Sequence, residues 1–319
     1  MNFPTGHIRD SDEVKKTRVG LHLHPRIGAA FGASASVIFP LSTNNRAKLP
    51  VSQGGPGVLN QTDTSTCEGH GWATVTCLHF ALKGTPIPLP SPLGFYYGAL
   101  LVSNRSNPDG TIAPLYDQGT TPSAIIQAMV IWGSCPATVW GQYPANSSTL
   151  WTDPSDSSSP MVPVKPEQLF AESGFKLKGA YFITSAGNQK ILDLITALAS
   201  GEILTNAIPA SGPTFQRYKG GILGAVEGPV DHCNVVLDYA WLGTVDQLAE
   251  YIAALGTNNE DVLSALNQFI VFYGVNSWGE ILWGESDVPE IQGGMYRAGR
   301  AFADQMEDLC VADLEKIAA

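Results

Sequence analysis

The sequence predicts an α+β protein in which helices come first and a sheet follows. Three observations carry this. An almost wholly apolar run, GWATVTCLHFAL at 71–82, reads as a buried central helix. Further segments with helical spacing continue to about residue 131, and from about 168 the texture changes to short β-like runs. Helices followed by strands suit segregated helical and sheet regions better than alternating units of a parallel sheet.

Taken in order, residues 1–48 form an arm, or a pro-segment, that mixes charges with Gly, Ser and Asn around an apolar patch near Ile27–Phe39. LPVSQGGPGVLNQ (49–61) reads as an extended lead-in strand ending in turn residues. Thr62, Asp63, Thr64, Ser65 and Thr66 offer N-cap oxygens, so Cys67 is expected at the start of the buried helix. FYYGALLVSN (95–104) and SAIIQAMVIWG (123–133) are helices, the second stopped by Gly133. Residues 144–165 are rich in Ser, Asp, Asn and Pro and form an exposed loop. QKILDLITALASG (189–201) is a helix, whereas EILTNAI, NVVLDYAWL and FIVFYGVNSWG are strands. Two helices over 244–268 interrupt the strand series, and 300–319 is expected to be a terminal helix. The helical part thus spans roughly 60–165 and the sheet part roughly 166–300, within a catalytic domain of 49–319.

Composition narrows the function. The chain has 319 residues, 44% apolar and only 15% charged, which fits a globular protein with a sizeable core. Its formal charge of −11 argues against nucleic acid as a partner. No apolar run is long enough to cross a membrane, and the charged N-terminus, broken by Pro4, shows no secretory signal. The five cysteines are odd in number and irregularly spaced, which suits a reducing compartment, and a cytoplasmic or virion-associated location is expected. His22 and His24 form an H-x-H without further ligands, so no metal and no cofactor is expected.

Nucleophilic catalysis by cysteine needs a thiolate, a base to make it and donors for the oxyanion. A helix N-terminus favours negative charge, and Cys67 is the cysteine placed for this. Gln61 stands six residues before Cys67 within NQTDTSTCEGHGWA. VDHCNVVLDY carries His232 with Tyr239 seven residues on, and NSWGEILWG carries Asn276, Trp278, Trp283 and Gly284. These segments, in the order Cys, His, Asn, resemble the papain-like cysteine peptidases over roughly residues 49–300.

The resemblance implies a two-lobed fold, a helical lobe and an antiparallel sheet or barrel lobe, with the active-site cleft between them. It implies a thiolate nucleophile at Cys67, a general base at His232, an orienting amide at Asn276 and an oxyanion donor at Gln61. Trp278 would shield the Asn–His bond, and Asp231 and Glu68 would tune the site electrostatically. Polypeptides would be the substrates, and the N-terminal arm a partner within the chain. The sequence also departs from the family. The nucleophile segment reads T-S-T-C-E-G-H-G-W, Thr64 stands where secreted relatives have a structural cysteine, and 244–268 lengthens the gap between His232 and Asn276. An alternative register would put Gly71 at the nucleophile position and leave the chain inactive. Two rival functions share the constellation: another acyl transfer, as in an amidase or acyltransferase, and a non-catalytic binding or structural module.

Overall fold

A computed structural model describes residues 7–20, 39–62, 64–103, 113–138, 159–162, 174–279, 283–284 and 293–317. His22, His24, most of the Ile27–Phe39 patch and most of the 144–165 loop lie outside these residues.

Within the arm, a one-turn helix α1 (Asp12–Lys16) is capped by Ser11 Oγ, and β1 (Val19–Gly20) follows it. Next come α2 (Cys67–Leu82), α3 (Pro92–Ser103) and α4 (Pro122–Ile131). Every α2 residue from Cys67 to Ala81 is buried, as its unbroken apolar texture requires. Two glycines let α2 pack this closely. A Cβ on Gly69 would lie 2.2 Å from Pro92 O, and one on Gly71 would lie 2.8 Å from Cys233 Sγ. The second half runs β2 (Phe175–Phe182), α5 (Gly187–Ala199), β3 (Leu204–Pro209), α6 (Pro213–Gln216), β4 (Ile222–Leu223) and β5 (Val230–Trp241). It ends with α7 (Val245–Thr257), α8 (Glu260–Leu266), β6 (Ile270–Val275), β7 (Met295–Ala298), α9 (Arg300–Ala303) and β8 (Glu307–Lys316). A capping box between Thr244 and Gln247 starts α7, and Asn258 in the left-handed region ends it.

The strands form one eight-stranded sheet in the order β1-β2-β8-β3-β5-β6-β7-β4. Alternate residues of β5 and β6 feed two cores. Val236, Tyr239, Ile270 and Phe272 face α5 and α7, while Val235, Leu237, Val271 and Tyr273 share a cluster with Trp72 of α2 and Phe95 of α3. No described helix is long and apolar enough to cross a membrane. All five cysteines are buried, and none of them is in a disulfide.

Three expectations need correction. Residues 307–316 form a strand and not a terminal helix, with only the short α9 before it. β8 lies between β2 and β3, so Asp308 to Ala312 are buried on both faces. The period-2 alternation that marks a half-buried strand is therefore missing, and helix-forming Glu, Leu, Ala and Lys dominate the local sequence. The 49–61 segment is mostly turns: Val51–Gln53 is a 3-10 turn closed by Gly54 at φ 84°, and it becomes extended only near Asn60, which bridges Trp278. The sheet is mixed and, among the described residues, open. β1 and β4 pair in parallel with β2 and β7 at its two edges, and β1 and β8 lie outside the expected 166–300.

Candidate active site

Each site residue is positioned by backbone that the sequence dictates locally. Cys67 is the first residue of α2 and fully buried. The residue before it, Thr66, takes the N-cap position without giving a side-chain cap. Its hydroxyl instead bonds Thr64 Oγ1 at 2.6 Å and His70 Nδ1 at 3.2 Å, so the expected capping by the 62–66 hydroxyls is not what starts the helix. Thr62 sits at φ 56°, a strained turn just ahead of this helix.

His232 lies near the start of β5, opposite Ile208 of β3, and is fully buried. Its Nε2 donates to Asn276 Oδ1 at 2.6 Å, which leaves Nδ1 as the basic nitrogen, and this atom has no hydrogen-bond partner among the described residues. Asn276 Oδ1 also accepts from Ser277 N at 2.7 Å, which fixes the amide with its oxygen toward the histidine. Burial pushes the His232 imidazole down to about 4; the Asn276 bond opposes this, and the charges of His7 and His70 add to it. Trp278 lies against the His232 ring, centroids 4.7 Å apart and planes 37° apart. Behind Trp278, Phe215 and Trp283 close the aromatic stack, and Trp283 Nε1 donates to Phe215 O at 2.7 Å.

Gln61 reaches the same place by backbone pairing. Its N–H donates to Ser277 O at 2.7 Å, and Gly279 N donates to Leu59 O at 3.0 Å. Its side chain bridges both segments: Oε1 accepts from Ser277 Oγ at 2.5 Å and Nε2 donates to Thr64 O at 2.7 Å. The structure therefore brings Gln61, His232, Asn276 and Trp278 together. Cys67 opens α2, which packs against β5 with Gly71, one turn on, at the Cys233 thiol. Asp231 does something else: its Oδ1 accepts from Ala210 N at 3.0 Å, which fixes the β3–β5 end, and its carbonyl accepts from His7 N at 3.0 Å.

Sequence reasoning missed Ser277, which links Gln61 to Asn276, and it missed the arm. His7 is buried beside the site, with Nδ1 2.5 Å from Glu68 Oε1 and Nε2 3.3 Å from Asp308 Oδ2. Burial pulls the His7 imidazole down, but hydrogen bonds and charge from Asp308 and Glu68 outweigh it and raise it to about 9. Arg18 pairs with Asp308 at 2.5 Å and with Asp10 at 2.8 Å. Burial works to raise Asp308, yet His7 and Arg18 hold its carboxyl at about 2. The signal for His7 was weak, because one histidine in a polar arm looks like a solvated side chain. Among the described residues, no group of three or more His, Cys, Asp or Glu is arranged to hold a metal.

No family model matches the sequence, and no curated protein matches it. Solved structures do. Xylellain, a cysteine protease from Xylella fastidiosa, matches with a TM-score of 0.60 at 16% identity, covering 100% of this chain and 98% of that one. Bromelain from Ananas comosus, in complex with the inhibitor E64, gives 0.54 at 14% identity over 86% of this chain and 100% of its own. A recombinant stem bromelain precursor gives 0.57 at 14% identity over 99% of this chain and 78% of its own. The chain therefore has the papain-like fold of these cysteine proteases.

Proposed function

We propose that the chain is a cysteine endopeptidase with two lobes and a cleft between them, working through Cys67, His232, Asn276 and Gln61. The observation that carries this reading is the buried His232–Asn276 bond, which leaves the basic Nδ1 without a hydrogen-bond partner among the described residues. His232 takes the Cys67 proton. The thiolate, favoured by the helix N-terminus, forms a C–S bond at the scissile carbonyl carbon. The electron pair moves to the carbonyl oxygen, which the Gln61 amide and the Cys67 backbone N–H stabilise. Collapse breaks the C–N bond, and His232 gives its proton to the departing amine. Water, deprotonated by His232, then splits the thioester and the thiol is restored. Asn276 keeps the imidazole oriented throughout, and Trp278 keeps water from the bond between them.

Cys67 and His232 are both fully buried, which favours a closed, arm-occluded form. We read residues 1–48 as an occluding pro-segment. The greater share of this chain matched by the bromelain precursor than by bromelain is consistent with that reading. The Gly71 register is disfavoured by the position of Gly71 inside α2, against Cys233.

The test is iodoacetamide labelling at mildly acidic pH together with hydrolysis of a fluorogenic peptide. Labelling at Cys67, with turnover lost in Cys67→Ala, supports the enzyme. A Cys67 that stays inert after the arm is cleaved identifies a binding module, and retained turnover in Cys67→Ala removes the proposal. Product analysis with added amines separates hydrolysis from acyl transfer. Occlusion predicts that activity rises as the arm is cleaved; constant activity through that cleavage overturns it.

A further inference from the structure

The arm pairs through its backbone with residues beside the site. His7 N donates to the carbonyl of Asp231, the residue before the proposed base, and Ile8 N donates to Thr120 O at 2.8 Å. His7 and Thr120 form a parallel bridge, so residues 7–8 run as a short extended segment between the turn before α4 and the start of β5. The His7 side chain enters a socket whose walls are Glu68, next after Cys67, and Asp308, at the start of β8.

The socket is built for positive charge. Glu68 and Asp308 have side chains 1% and 2% exposed, so their carboxylates need a cation inside the protein. Asp308 holds a left-handed backbone, φ 50°, inside a strand, where the β3–β8 register shifts between Thr205 and Ala207. Strain of this kind persists where the surroundings require a side chain to point one way. Glu68 Oε2 is buried without a nitrogen or oxygen donor among the described residues, and the Cys233 thiol is the weak donor that reaches the Glu68 side chain. The imidazolium therefore leaves acceptor capacity that an arginine, with five N–H donors, or a lysine would use. Arg18, the second cation on Asp308, also belongs to the arm, so a departing arm leaves both carboxylates without a positive partner.

We propose that the Glu68–Asp308 socket is the specificity pocket of the enzyme, filled in cis by His7. Its preferred substrates are peptides with a basic side chain at one of the two residues before the scissile bond. This rests on the peptidase reading above. His7 is then a built-in pseudo-substrate side chain, and an incoming peptide must displace it.

The experiment uses the full chain carrying His7→Ala, which removes the imidazole from the socket, and peptides that place Arg, Lys or Leu at each of the two positions. We expect kcat/KM at one position to favour Arg and Lys over Leu by tenfold or more. Adding Asp308→Asn or Glu68→Gln should reduce that ratio by tenfold. The wild-type chain on the same peptides, which needs no substitution to fold, should give the same order at a lower rate. Equal or better cleavage of the Leu peptides, or a ratio that neither carboxylate substitution moves, overturns the socket while leaving the peptidase standing. No cleavage together with no labelling of Cys67, both before and after the arm is cleaved off, removes the peptidase and the socket with it.

Discussion

Two buried histidines near the proposed nucleophile make opposite choices. His232 faces the amide oxygen of Asn276 and is held neutral, down at about 4, while His7 faces Glu68 and Asp308 and is held charged, up at about 9. Burial pushes both the same way, so it is the partner that decides. An amide orients an imidazole without fixing its charge, which a shuttling base needs. A pair of carboxylates locks the charge in, which an anchor needs.

The sharpest way to break the comparison is at the reacting groups. Cys67→Ala and His232→Ala should each lower kcat/KM by about 10⁴-fold or more, measured on a fluorogenic peptide with the melting curve checked for an intact fold. Asn276→Ala should cost about 10²-fold, because the imidazole stays near the thiol but loses its orientation. His7→Ala should cost about 3 kcal/mol in urea unfolding, since it leaves Glu68 and Asp308 with fewer positive partners.

The pH dependence of stability separates the two histidines. The folded value of His7 lies above the ordinary 6.5, so its contribution is full below pH 6.5 and is lost as pH rises through about 9. Glu68 from α2, Asp308 with its partner Arg18, and His232 from β5 are the charged and titrating groups that act with His7 there. His232 lies below 6.5, so its contribution is present above pH 6.5 and is lost as pH falls toward 4. Melting temperature followed against pH should fall at both ends. His7→Gln should flatten the alkaline fall and leave the acid one; an unchanged alkaline limb would contradict the anchoring role of His7. The smallest effect is expected at Ser277→Ala, about 1 kcal/mol by denaturant unfolding, through its bond to Gln61.

The central helix was legible because fifteen consecutive buried residues leave an apolar run that no other element explains. The helices at 244–268 were legible through their caps and periodicity. β8 was not, because a strand buried on both faces loses its alternation and its residues read as helix formers. The His232–Asn276 pair was anticipated from short segments with fixed spacing, and the structure places those two side chains in contact across two neighbouring strands.

By itself the sequence determined the central helix and the apolar segments, that the chain carries net negative charge, and which Cys, His, Asn and Gln are candidates for chemistry. Those are properties of composition, spacing and local preference. Only the tertiary structure decided which nitrogen of His232 is engaged, that Ser277 ties Gln61 to the Asn276 turn, and that His7 of the arm rests between Glu68 and Asp308. The last of these joins residues 61 and 301 positions apart in the chain. No local pattern encodes such a contact, because charge pairing inside a protein depends on which distant groups are buried together and what else is there to neutralise them.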